Sequence, residues 1–240
     1  MTPDVTTSVV QVCRSCGGGA PVDVHFCPQC TKILTLGRRG DYFTFLGLPR
    51  KLTLDAEELE RNFRALSRQF HPDYFYNAPP AERRASLERS SYLNDAYRTL
   101  RQPVSRMSYL LELEGFGGAV AAERNASAAG GRAAAQVPPA LLEEVFALNE
   151  ELDEVRERRA GGAPEAEWRG RLARARQPID AKREAHERQL EELAARWDAL
   201  ADSGSPAEEK RQVLEALRDR MLERNYINNL LAGIERELTQ

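Results

Sequence analysis

The chain has 240 residues, of which 30% are charged and 42% hydrophobic, and its formal net charge is −3. A charge so close to neutral excludes a general attraction to nucleic acid or anionic membrane, so a charged partner has to be bound by a local patch. The sequence has no apolar run of about 18 residues that predicts a membrane span. Its N-terminus lacks the basic start and apolar core of a signal peptide. We therefore expect a soluble intracellular protein.

Composition divides the chain into four segments. Residues 1–38 are rich in Gly and Cys, and residues 41–114 show helical periodicity. Residues 115–137 are small, Gly/Ala-rich and unpatterned, which is typical of a linker. Residues 138–240 are helical again. With only 7% aromatic residues and wide charged faces, the chain is predicted to be all-α.

The four cysteines all lie in the first segment, in two pairs separated by ten residues: Cys13-x-x-Cys16 and Cys27-Pro-Gln-Cys30. Two tight turns of this kind bring four thiolates together, and tetrahedral thiolate ligation suits Zn²⁺. Iron–sulfur ligation is the main alternative, followed by a redox pair or disulfides. Because the segment has almost no apolar core, we expect the metal to supply most of its folding free energy. His25 lies beside this site but is not expected to be a ligand.

A basic amphipathic helix is predicted to start after Asp55, which is a candidate N-cap. An apolar stripe with helical spacing follows, made of Leu59, Phe63, Leu66 and Phe70. Arginines repeat on another face of the same helix, at Arg61, Arg64 and Arg68. A charged face of this kind is usually only solvated, so the spacing alone does not identify a binding surface.

The stretch FHPDYF at residues 70–75 interrupts the helical pattern. Pro72 ends the helix, because the residue before a proline avoids the α conformation, and Pro80 opens the next helix. We expect the two helices to pack as an antiparallel hairpin with His71, Pro72 and Asp73 at its exposed tip. A catalytic His–Asp pair is disfavoured there, since a convex tip offers neither a pocket nor a nucleophile. No enzyme activity is expected.

Three helical stretches follow residue 138, separated by AGGAP at 160–164 and DSGSP at 202–206. Their apolar residues repeat at heptad spacing and predict an antiparallel three-helix bundle. The stripe of the first helix is Leu141, Val145, Leu148, Leu152 and Val155. Leu142 and Phe146 fall outside this stripe and are expected to stay partly exposed beside Glu150 and Glu154. A core wide enough to bury both stripes is the competing interpretation.

The segment from residue 41 to residue 116 resembles a J-domain, with a short helix, a basic helix, His71-Pro72-Asp73 and an antiparallel third helix. More narrowly, four stretches resemble the HscB family, the J-type co-chaperones of iron–sulfur cluster assembly. They are DYFTFLGLPRKLTLD, RQFHPDYF, SSYLNDAYRTLRQP and RMSYLLELEGF. The four-cysteine segment is similar to that of mitochondrial and some bacterial members of the family.

This resemblance implies that the tip is a docking surface. In the family, the tip and the basic helix bind an HscA/DnaK-type chaperone and stimulate its ATPase. The chaperone-binding residues implied for this chain are His71, Pro72, Asp73, Arg61, Arg64 and Arg68. Tyr74 departs from the J-domain pattern, in which a basic residue is common at this position.

The resemblance also implies a client site on the bundle. Members of the family bind the scaffold protein IscU through apolar and acidic residues of the first bundle helix and an aromatic residue of the last. The client-binding residues implied here are Leu142, Phe146, Glu150, Glu154 and Tyr226. Glu143 and Ala147 depart from the family, in which an apolar residue and Glu are common. The expected molecule is L-shaped and presents the scaffold to the chaperone.

Two other functions stay open. A general J-domain co-chaperone with a different client shares the tip but not the client site. A zinc-dependent nucleic-acid-binding protein is disfavoured by the net charge and by the few basic residues near the cysteines. A bacterial cytoplasm is favoured over a mitochondrial matrix because no transit peptide is recognisable before the cysteines.

Overall fold

The computed structural model describes residues 10–21, 24–36, 40–118 and 142–239. The structure is mostly helical, which confirms the predicted class, and it forms two compact units, Met1–Arg106 and Met107–Gln240. Within the described ranges, none of the helices is long and apolar enough to cross a bilayer. Most of the predicted linker, residues 119–137, lies outside the described residues, and so does Leu141.

The four-cysteine segment contains two short strands that the sequence analysis did not predict. Strand β1 (Val10–Val12) pairs antiparallel with β2 (Gly19–Pro21), and an isolated bridge joins Phe26 to Ile33. Among the described residues of the segment, one buried cluster consists of Cys13, Ala20, Cys27 and Leu34. Two of these four residues are metal-ligand candidates, so the apolar part of this cluster is small.

The first helices of this unit begin at capped residues. Helix α1 (Tyr42–Phe45) is capped by Asp41, whose carboxylate accepts from the backbone N–H of Thr44 at 2.8 Å. Helix α2 (Ala56–Phe70) is capped by Asp55, as predicted, through the backbone N–H of Glu57 at 2.9 Å. Each cap satisfies an N–H that has no partner within its own helix.

Helix α3 (Pro80–Arg101) begins at the predicted proline and packs against α2. The rings of Phe63 and Tyr97 stack at 4.1 Å between centroids. The hairpin also buries Leu59 and Phe70 of the predicted α2 stripe and Leu93 and Leu100 of α3. Gln102 then takes an extended backbone before the next proline, which separates α3 from α4 (Pro103–Leu113).

The second unit contains the predicted three-helix bundle. Its helices are α5 (Leu142–Ala160), α6 (Glu165–Asp202) and α7 (Ala207–Thr239). The chain reverses between them over four residues each time, and Gly162 and Gly204 supply backbone φ angles of +78° and +64° at these reversals. The core where the three helices meet is made of Leu148, Leu152, Val155, Trp168, Leu172, Ile179, Ile227 and Ile234.

Helix α6 contains a proline and a buried histidine within one unbroken helix. Pro178 is inside α6, and the helix continues through it to Asp202. His186 is buried, with its Nδ1 atom 3.6 Å from a carboxylate oxygen of Glu223 on α7. Burial lowers the pKa of His186, although the Glu223 carboxylate opposes this shift. The histidine therefore belongs to the bundle interior.

Candidate functional site

The four thiols of the first segment form one cluster. The sulfur atoms of Cys13, Cys16, Cys27 and Cys30 all lie within 4.8 Å of one another. The separation is 3.6 Å between Cys13 and Cys30 and 3.7 Å between Cys16 and Cys27. A tetrahedral zinc with bonds of about 2.3 Å places its sulfur ligands about 3.8 Å apart. The cluster therefore has the dimensions that zinc needs.

Two similar turns present these thiols. The backbone N–H of Gly17 donates to the Cys13 carbonyl at 2.8 Å, and that of Thr31 donates to the Cys27 carbonyl at 2.9 Å. Gly17 and Thr31 end the two turns with φ angles of +74° and +59°. A β-branched residue rarely adopts a left-handed conformation, so the second turn holds Thr31 in an unfavourable backbone geometry.

The electrostatics of the cluster also favour a cation. A hydrogen bond from the backbone N–H of Cys30 lowers the pKa of the Cys27 thiol to about 7. The backbone N–H of Lys32 lowers the pKa of Cys30, but desolvation and the neighbouring thiols outweigh it and raise this pKa to about 12. The Cys27 thiol thus ionises readily, whereas the Cys30 thiol resists ionisation. A divalent metal ion such as Zn²⁺, held by the four sulfurs, would supply the compensating charge.

The tip of the α2–α3 hairpin lies where Pro72 ends the helix. His71 follows the last residue of α2 and caps a short 3-10 helix, Pro72–Phe75, by accepting the backbone N–H of Asp73 on its Nδ1 at 3.3 Å. The same Nδ1 lies 3.5 Å from a carboxylate oxygen of Asp73. The side chains of His71 and Asp73 are 51% and 86% exposed. Both side chains are therefore presented to solvent, as predicted.

The three predicted arginines of α2 are exposed, but two of them are ion-paired. Arg64 donates to Glu60 at 2.7 Å, and Arg61 lies 3.7 Å from Glu57. Glu60 also accepts from the hydroxyl of Tyr97, and this hydrogen bond, followed by that from Arg64, lowers its pKa. Arg68 is exposed in the last turn of α2, three residues before His71.

On the bundle, the predicted client residues differ in their exposure. Leu142 and Phe146 are 38% and 70% exposed, as predicted, because the heptad stripe of α5 fills the core. Glu150 is exposed, whereas Glu154 makes an ion pair with Arg171 of α6. Tyr226 is half-buried and packs against the bundle core.

A groove lies beside Phe146, at the two positions where the sequence departs from the family. Glu143 and Ala147 line it from α5, and Pro178 and Ile179 line it from α6. Its volume is about 270 Å³. Because Ala147 has only a methyl side chain, this part of α5 leaves room that a longer side chain fills.

One contact in this unit was not predicted. Arg89 of α3 is 2% exposed, and it donates to the Leu34 carbonyl at 2.8 Å and contacts Nδ1 of His25 at 2.7 Å. The four-cysteine segment is thereby attached to the helical hairpin. In the sequence Arg89 is one of several arginines of α3, but it lies four residues before Leu93 and therefore on the buried face of the helix, a signal that the sequence analysis did not use.

Comparison with known proteins agrees with these features. Residues 41–109 match the family of the DnaJ domain. The human co-chaperone protein HscB has a similar fold, with a TM-score of 0.62 at 24% identity, over 95% of this chain and 98% of that one. The chaperone HscB from Vibrio cholerae matches with a TM-score of 0.56 at 28% identity, over 82% of this chain and 96% of its own.

The exposed His71-Pro72-Asp73 tip lies on a hairpin that matches the DnaJ domain family, so residues 41–109 form a J-domain. The chain as a whole has a fold similar to that of the HscB structures, and the match covers 96% of the Vibrio cholerae protein. Its N-terminal segment adds a four-cysteine cluster.

Metal removal tests the cluster. We expect one Zn²⁺ per chain by native mass spectrometry, and we expect a strong chelator to unfold residues 10–36 while the far-ultraviolet circular dichroism of the helices persists. Structural zinc in small thiolate sites contributes about 10–16 kcal/mol, and this segment has little else to fold it. Replacing Cys16 and Cys30 with Ser should abolish binding. A visible absorbance of iron–sulfur type in purified protein would contradict the zinc assignment.

Proposed function

We propose that this J-domain protein stimulates the ATPase of an HscA/DnaK-type chaperone and presents an IscU-type iron–sulfur scaffold to it. The observation that carries the proposal is the exposed tip of a DnaJ-domain hairpin on the same chain as a separate bundle with exposed apolar residues. The relatives support the role, since the human protein is a co-chaperone and the Vibrio cholerae protein a chaperone by name.

The tip is suited to act by docking. Its two polar side chains are solvated, and the 3-10 helix that begins at Pro72 holds them in one local arrangement. A prearranged charged group loses little conformational entropy when it meets a partner. In the proposed mechanism, the Asp73 carboxylate reaches a cationic group of the chaperone, and ATP hydrolysis takes place entirely on the chaperone.

The arginines of α2 are suited to orient the two proteins. Surface ion pairs such as those of Arg61 and Arg64 contribute only about 0–1 kcal/mol, so exchanging an intramolecular carboxylate for one on the chaperone is inexpensive. Arg68 is the nearest of the three to the tip along the chain. Charge complementarity of this kind raises the association rate and fixes the orientation of the partner.

The bundle is proposed to hold the client. An exposed aromatic ring at Phe146 with Leu142 one turn earlier forms the apolar centre that a protein interface needs, and Glu150 one turn later provides a polar rim. The groove lined by Ala147 and Pro178 extends this apolar surface toward α6. A scaffold side chain inserted there would be sheltered from water. The binding energy of a protein interface concentrates at such desolvated positions.

The tip is tested by Asp73→Asn. The side chain is 86% exposed, so the substitution should leave the circular dichroism spectrum and melting temperature unchanged. It should lower stimulation of the chaperone ATPase by at least about tenfold, because removing one partner of a charge pair at an interface costs about 2–5 kcal/mol. Asp95→Asn, an exposed carboxylate on α3, serves as the matched control and should behave as wild type. Equal stimulation by both variants would contradict the role of the tip.

The client site is tested by combining Leu142→Ala with Phe146→Ala. Both side chains are exposed, so stability should be nearly unchanged, while the dissociation constant for the scaffold should rise by roughly thirtyfold, as expected for loss of an interface hot spot. Leu87→Ala, at an exposed leucine of α3, is the control. Isothermal titration calorimetry measures the dissociation constant of the scaffold for the wild type, the double variant and Leu87→Ala. Unchanged affinity in the double variant would exclude this surface and favour a general co-chaperone with another client.

A further inference from the structure

The four-cysteine segment is attached to the hairpin through a buried arginine. The guanidinium of Arg89 donates to the Leu34 carbonyl at 2.8 Å and the Thr35 carbonyl at 3.3 Å, and it lies 2.7 Å from Nδ1 of His25. An arginine has no acceptor, so in this contact it is the donor and the imidazole nitrogen the acceptor. These three acceptors of Arg89 all belong to the four-cysteine segment.

These acceptors depend on the fold of that segment. Burial lowers the pKa of Arg89 to about 10, so the group is charged at neutral pH and needs hydrogen-bond partners. Leu34 and His25 are held together by a backbone hydrogen bond of 3.0 Å, close to the turn that carries Cys27 and Cys30. Because that turn has little core without a metal, metal loss also removes the arrangement that satisfies Arg89.

The same residues pack on Phe70, the last residue of α2. The imidazole of His25 meets the Phe70 ring edge-on at 5.0 Å between centroids, and the Arg89 guanidinium lies 5.6 Å from the centre of that ring. Phe26 contributes a third contact from the segment, at 6.0 Å. Phe70 is fully buried. One side of its ring is therefore covered by the four-cysteine segment.

Phe70 is also the residue from which the tip departs. Its carbonyl accepts hydrogen bonds from the hydroxyls of Ser86 and Ser90 of α3, at 2.7 and 2.8 Å, and the next residue in the chain is His71. Hydrogen bonds from α3 thus fix the backbone at the end of α2, and His25 and Arg89 pack against the Phe70 ring. A shift of Phe70 changes the position from which His71 and Asp73 project.

We propose that the metal-loaded four-cysteine segment positions the His71-Pro72-Asp73 tip, with Arg89 and His25 as the positioning residues. The segment then affects the geometry of the tip by packing on Phe70, without contacting the chaperone itself. This inference rests on the proposed function only for its effect on the ATPase. Its structural part, a tip whose geometry depends on the metal, stands apart from the identity of the partner.

The test uses the full chain with Arg89→Met, and Arg84→Met at an exposed position of the same helix as the matched control. Amide proton signals of Asp73 and Tyr74 report the tip by nuclear magnetic resonance, zinc content reports the cluster, and the chaperone ATPase reports coupling. For Arg89→Met and for chelated wild type we expect shifted tip signals. We also expect the concentration of this protein that half-saturates the chaperone ATPase to rise by roughly five- to tenfold. Arg84→Met should match wild type.

A second variant separates positioning from loss of the metal. In His25→Phe the ring that packs on Phe70 is kept, but the acceptor for Arg89 is lost, so zinc should stay bound while the tip signals shift in the same direction. Lys32→Ala removes the ion pair between the half-exposed Lys32 ammonium and Glu82, which joins the same two parts, and should change neither readout.

The proposal is overturned if Arg89→Met, His25→Phe and the chelated protein all keep wild-type amide signals at Asp73 and Tyr74. Unchanged tip signals with a weakened ATPase response would also overturn it, because the segment would then be a docking surface of its own. If wild-type protein fails to stimulate the chaperone, the proposed function fails, but the amide signals still decide whether the metal positions the tip.

Discussion

The contact between the Arg89 guanidinium and the four-cysteine segment is the constraint on which the first unit depends. A buried charge that lacks hydrogen-bond acceptors is costly, and Arg89 finds its acceptors in a segment whose described residues form only a small buried cluster. The thiol cluster, the segment and the hairpin therefore stabilise one another. Phe70 lies at the centre of this arrangement, under His25 and directly before His71. A metal site at the N-terminus is in this way connected to the residues that define the J-domain.

The two surfaces of the chain are built on different principles. The tip is polar and solvated and is held by a proline-initiated turn, so it offers orientation and charge. The bundle surface is apolar, and it is exposed only because the heptad stripe of α5 already fills the core. Neither surface requires a reaction on this chain. A protein with one surface of each kind is suited to join a charged partner to an apolar client.

The features that the sequence predicted are local ones. The Asp55 cap, the helix start at Pro80, the exposed tip and the spacing of the cysteines each depend on residues a few positions apart. The exposure of Leu142 and Phe146 followed from the period of one helix. In contrast, Arg89 and His25 are 64 residues apart, and their contact arises only when the segment folds onto α3. The half-buried state of Tyr226 is likewise set by packing with the neighbouring helices.

The central claim is that one chain couples a scaffold to a chaperone through the tip and the bundle together. Steady-state ATPase of the DnaK-type chaperone, measured with the IscU-type scaffold and with zinc-loaded wild type or His71→Gln, tests it most directly. The account predicts stimulation by wild type, a further increase beyond the sum of the separate effects when scaffold is present, and loss of both in His71→Gln. Absence of any stimulation by folded, zinc-loaded wild type would contradict it.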